Sequence, residues 1–101
     1  MNAIRYHGEA RLELVHEVNY YTAVSPQLGE RFDKAIQSAA IRAAEYPDLG
    51  SPFFYGTRRV LFKKFRFSVV CMASEDEILI LAIAPFSRKP GYWRKRRNDG
   101  S

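Results

Sequence analysis

The chain has 101 residues, 47% of them hydrophobic and 27% charged, which suits one small globular domain and leaves no room for two. Its whole net charge of +5 sits in residues 88–101, where six basic groups meet one acid, while residues 1–87 hold ten groups of each sign. No apolar run approaches the ~18–20 residues that cross a bilayer, the N-terminus lacks a signal-peptide core, and the single cysteine excludes an internal disulfide.

These bounds lead us to expect a cytoplasmic protein with no membrane role. The sequence has no CxxC, HExxH, Gly-rich phosphate loop or internal repeat, so no metal or cofactor is expected. In chain order, residues 3–6 read as a short strand. From Gly8 to Val24, Leu14, Val15, Val18 and Tyr21 recur at helical spacing, on a face separate from Glu13, His16 and Glu17. Ser25-Pro26 supplies an N-cap oxygen and a proline at the first position of a second helix. That helix carries one apolar stripe, Leu28, Phe32, Ala35, Ile36, Ala39 and Ala43, and ends before Tyr46-Pro47. Gly29 costs up to ~1 kcal/mol against Ala in a helix, which a close helix–helix approach would explain.

Beyond a loop from Pro47 to Gly56 the periodicity changes to strands: residues 58–64, 67–72 and 78–84, with Glu75-Asp76 as a hairpin tip. The last strand, ILILAIA, is apolar on both faces and belongs inside a sheet covered on both sides. The order β-α-α-β-β-β predicts an α+β fold, a helical hairpin packed on a mostly antiparallel sheet. Residues 1–94 form the single domain, and residues 95–101 a basic tail expected to be flexible.

Two positive clusters are the candidate functional residues. One is Arg58, Arg59, Lys63, Lys64 and Arg66; the other is the tail, RKPGYWRKRR, with Arg88, Lys89, Tyr92, Trp93 and Arg94. Cations interleaved with aromatics pair with phosphates and stack on bases, or clamp an acidic peptide. Against this stand edge-protecting charges on the strand, and Tyr92 and Trp93 as pins holding the tail to the core. His7 and His16 read as surface histidines. Cys71, beside Val69 and Val70, reads as a small buried hydrophobe.

The run FRFSVVCMASEDEILILAIAPFSRKPGYW, with EARLELVHEVNYY, SPQLGERF, YPDLGSP and RRVLFKKF upstream, resembles the RelE/ParE superfamily of bacterial type II toxin–antitoxin modules over essentially the whole chain. The resemblance implies two helices on an antiparallel sheet and a bacterial cytoplasmic toxin held inactive by a cognate antitoxin. Operator DNA would be reached only through that antitoxin. RelE-like members cut mRNA on the ribosome and ParE-like members poison DNA gyrase. Carried over by position, a metal-independent endoribonuclease would use Lys63, Lys64, Arg88 and Tyr92. The pattern departs at Cys71-Met72, where Tyr-Arg is frequent, and at Pro85, Phe86 and Ser87, where His-Gln-Arg is frequent. Losing a donor that stabilises the transition state typically costs ~10²–10³ in rate. The chain is therefore closer to ParE-like members, with DNA gyrase as the implied target. The alternatives are a RelE-like ribosome-dependent endoribonuclease and a weakly toxic or non-toxic subunit that only binds its antitoxin. Arg58, Arg59, Lys63, Lys64, Arg66, Arg88, Lys89, Tyr92, Trp93 and Arg94 are the candidates for binding target or an acidic antitoxin segment.

Overall fold

A computed structural model describes residues 2–62 and 64–98; Lys63 and residues 99–101 of the basic tail lie outside them. The chain runs β1 (Ala3–Tyr6), α1 (Gly8–Val24), α2 (Pro26–Glu45), β2 (Ser51–Pro52), β3 (Arg58–Phe62), β4 (Phe67–Ala73) and β5 (Glu77–Pro85). A 3-10 turn at Phe54–Gly56 and a 3-10 helix at Arg94–Asn98 complete it. The strands form one five-stranded sheet in the order β1-β5-β4-β3-β2. Only β1 and β5 are parallel; the other pairs are antiparallel. The expected α+β architecture is therefore present, with one further two-residue edge strand that period-two patterning cannot signal.

Both faces of the sheet are covered. On one, the helical hairpin packs Ala10, Leu14, Phe32, Ile36, Ala39 and Ala43 against Val69, Ile78, Ile80 and Ile83. The ring of Phe32 meets Tyr21, Phe65 and Phe67 at 5.0–5.2 Å between centroids, tilted to Tyr21 and edge-on to the other two, separations at which aromatic rings attract. Val15 is a correction to the expected inner face of α1: it is 50% exposed, and Ala10, Leu14, Val18 and Tyr21 point inward instead. The other face buries Val70, Leu79, Leu81, Ala82 and Ala84 under Trp93.

The helix junction shows two local differences of opposite kind. Ser25 does not cap α2 with its side chain; its hydroxyl donates to Gln27 Oε1 at 3.0 Å. Gly29 does mark a close approach, because a Cβ there would stand 2.9 Å from Thr22 Cα. His7 is also not a surface histidine. It is 4% exposed, and its Nδ1 accepts the Glu9 N–H at 3.0 Å, capping α1.

A bulge in β5 positions the functional region. Cys71 pairs with Ile80 and Val70 with Ala82, so Leu81 is the extra residue. Leu81 and Ala82 consequently both join the Trp93 face. Beyond Ile80, which accepts the His7 N–H at 2.9 Å, β1 has ended and that edge of β5 needs other partners.

Candidate functional site

The second sheet face carries Arg59, Arg88, Tyr92, Trp93 and Arg94 of the candidate residues, because the chain after β5 folds back across it. Phe86 N–H donates to Arg66 C=O at 2.8 Å, and Gly91, at φ +101°, turns the chain where a Cβ would stand 2.9 Å from the Tyr55 ring. Trp93 is then fully buried, with Phe53 at 5.8 Å and Tyr55 at 5.9 Å from its ring. Trp93 thus acts as the pin that fastens the basic segment to the core. Truncating a buried Trp costs roughly 3–5 kcal/mol.

Glu13 satisfies the open edge of β5. Its Oε1 accepts the Ile83 N–H at 3.0 Å, and both its oxygens accept from the Arg96 guanidinium at 3.0 Å. Arg96 also donates to Leu81 C=O at 3.0 Å. The two side chains are only 14% and 19% exposed, so this bidentate pair is shielded from solvent and supplies partners the bulge would otherwise leave unmet. Through Asn98 the segment expected to be flexible is a 3-10 helix held at Arg96.

Around this anchor the cations lie on aromatic rings. The Arg88 guanidinium is 3.5 Å from the Tyr92 centroid and Arg96 5.2 Å. Arg59 is 4.3 Å from Phe53, and Arg94 and Arg97 are 5.0 and 5.8 Å from Tyr55. Such contacts hold a guanidinium by its face; the N–H groups of Arg96 and Arg97 are in addition engaged within the chain. Tyr55 itself has φ 62°, a left-handed conformation that costs a non-glycine residue roughly 1–2 kcal/mol. Arg97 donates to its carbonyl at 2.9 Å.

The structure brings Arg59, Arg88, Tyr92 and Trp93 to one cavity of about 40 Å³. Arg58 goes elsewhere. It donates to Gly50 C=O at 2.7 Å and lies 3.8 Å from the Asp48 carboxylate, fastening the loop after α2. Arg66 lies over Phe86 at 5.6 Å, while Lys64 and Lys89 are exposed. Lys63 lies outside the described residues. The Tyr92 hydroxyl is buried without a well-formed hydrogen bond; burial first, then the charge of Glu13, pushes it well above the ordinary phenol range. Burial pushes the Cys71 thiol up to about 11, which suits a packed side chain rather than a nucleophile. Met72 packs against the Trp93 cluster.

The family description "ParE toxin of type II toxin-antitoxin system, parDE" matches residues 4–90. The chain belongs to the ParE toxin family. A solved structure described as the chromosomal ParDE TA system from P. aeruginosa contains a chain with a similar fold, at a TM-score of 0.62 and 21% identity, over 84% of this chain and 96% of that one. No curated protein sequence matches significantly. Among the described residues no helix is long and apolar enough to cross a membrane.

On this ParE-family scaffold the residues that sequence reasoning missed are Glu13, Arg96, Phe53 and Tyr55. Glu13 has the same helical context as Glu9 and Glu17, and Arg96 stands within a run of four cations. Only the bulge and the end of β1 select these two for burial. Phe53 and Tyr55 flank a turn with no repeating pattern; their aromatic density, FFY, is the one signal that could have drawn attention to them.

Proposed function

We propose that this ParE-family toxin inhibits an essential target by binding it, with DNA gyrase as the target by its resemblance to ParE-like chains, and that a cognate antitoxin neutralises it. The observation that carries this reading is the state of the C-terminal segment. Arg88 and Arg94 are fixed over Tyr92 and Tyr55, Arg96 is held by Glu13 as the anchor beneath them, and the Tyr92 hydroxyl is buried beside Glu13 with its pKa raised. A general acid or base works best with a pKa near the operating pH, and Tyr92 is displaced away from it. Fixed cations on a pinned platform instead suit docking, where preorganised charge steers and orients a partner.

Two surfaces support an acidic antitoxin segment as the neutralising partner. One is the cationic platform. The other is the outer edge of β3, which pairs with β2 only at Arg58 and Arg59, so Val60–Phe62 can accept an added strand. A disordered acidic segment would order as it pairs there and cancel the local charge. Operator DNA is reached through the antitoxin.

The test is a side-by-side assay of purified protein. It should block supercoiling by DNA gyrase and leave mRNA intact in a translation extract. Codon-dependent mRNA cleavage would overturn the proposal in favour of a ribosome-dependent endoribonuclease. Well-folded protein that arrests no growth when expressed without an antitoxin would overturn it in favour of a non-toxic binding subunit.

A further inference from the structure

The cavity of about 40 Å³ beneath the C-terminal segment is lined by Arg59, Arg88 and the buried Ser68, with Phe53, Tyr92 and Trp93 among its walls and no acid among its lining residues; Arg88 and Tyr92 also border the neighbouring groove that holds Glu9, Glu13 and Glu17. Two like charges bordering one small space repel each other, and here Arg59 is half-buried while Arg88 is exposed. Each is nevertheless fixed there by a ring, Arg59 over Phe53 at 4.3 Å and Arg88 over Tyr92 at 3.5 Å. The Arg59 Nε is buried and has no hydrogen-bond partner among the described residues. A buried donor left unmet costs about 1–3 kcal/mol, and this one belongs to a planar fork suited to a planar acceptor.

We propose that this cavity is a carboxylate-binding pocket, which receives an Asp or Glu side chain of a partner protein between Arg59 and Arg88. Three features select that ligand. The guanidinium fork matches the two oxygens of a carboxylate in a bidentate pair. The volume holds about three waters at ~10–15 Å³ each, enough for a carboxylate head and too little for a phosphodiester with its two sugar arms. Phe53 shields the half-buried Arg59 in part from water, which strengthens a pair formed on that side. Arg59 enters from β3 and Arg88 from the C-terminal segment, so one acidic side chain would tie together the two basic clusters of the sequence. The inference rests on the proposed function for the partner's being a protein, and its test does not depend on gyrase being the target.

Trp93 is the only tryptophan and lines the cavity, so its fluorescence reports occupancy in the full chain. The peptide acetyl-Gly-Glu-Gly-amide should shift the emission saturably, and its Gln counterpart should bind at least tenfold more weakly. Arg59→Lys keeps the charge but loses the fork and should weaken the Glu peptide at least tenfold. Should that variant fail to fold, Arg88→Gln carries the same expectation, and the Glu/Gln comparison needs no variant. Equal binding of the two peptides, or an unchanged affinity in a folded variant, would overturn the assignment. Tighter binding of the dinucleotide thymidylyl-thymidine than of the Glu peptide would overturn it in favour of a nucleic-acid phosphate.

Discussion

Glu13 connects three parts of the chain at once: the helix that carries it, the Ile83 N–H of the bulged strand, and Arg96 of the C-terminal segment. Removing one partner of a mostly buried pair leaves the other charge uncompensated, at a cost of about 3–5 kcal/mol in such settings. Glu13→Ala should therefore lower stability by roughly 2–4 kcal/mol in urea unfolding, and hydrogen exchange at Arg96 and Arg97 should accelerate more than at Val69. Cys71 makes a second prediction at this scale. Burial raises its thiol from the ordinary 9.0 to about 11, so between these values an unfolded chain loses a proton that the folded one keeps. The resulting stabilisation is fully present below pH 9 and is lost as pH rises through 11. Tyr92 is shifted upward too and acts in the same direction at still higher pH. Stability should fall steeply on the alkaline side, and Cys71→Ala should flatten the first part of that fall in pH-dependent denaturation.

At the scale of elements, Gly29 sets two effects against each other. Alanine would gain ~1 kcal/mol of helix propensity, but its Cβ would stand 2.9 Å from the Thr22 backbone, where only a shift of one helix against the other relieves the clash. Overpacking of this kind costs typically 1–3 kcal/mol. Gly29→Ala should thus lower the melting temperature, against the direction propensity alone implies. The stripe of α2 and the strand β5 were legible because burial on a helix face or on both sheet faces leaves a periodic mark. The Phe32–Ile36–Ala39–Ala43 series is that mark. What escaped was set by pairing between distant segments. β2 is two residues long and holds a proline, the bulge at Leu81 shows only in the register with β4, and Val15 reads as apolar whichever way it faces. The site divides along the same line. Arg59, Arg88, Tyr92 and Trp93 stood out by composition, whereas Glu13 and Arg96 become special only once β1 ends before the bulge.

For the whole molecule, the net charge of +5 resolves into a neutral body whose local patches cancel and a basic C-terminal segment, which the fold brings together with Arg59 of the first cluster. Arg59 reaches the Trp93 face from β3, and Arg88 with the later arginines reaches it from the C-terminal segment pinned by Trp93. Arg58 is withdrawn into the loop after α2. Charge arranged this way accelerates encounter with an acidic partner and is screened by salt over a Debye length of about 8 Å at physiological ionic strength. Association with the antitoxin should accordingly slow as salt is raised, with a smaller change in dissociation. In the complex, proteolysis should be suppressed at residues 58–66 and in the C-terminal segment; equal digestion with and without antitoxin would place the contact elsewhere.

On the proposed reading this fold inhibits by occupying its target rather than by turning over a substrate. Titration of the purified protein into a fixed amount of DNA gyrase tests it most directly. Supercoiling activity should be lost in proportion to the toxin bound and should return when the cognate antitoxin removes it. Undiminished supercoiling at saturating toxin, with mRNA cut catalytically in a parallel translation extract, would contradict it.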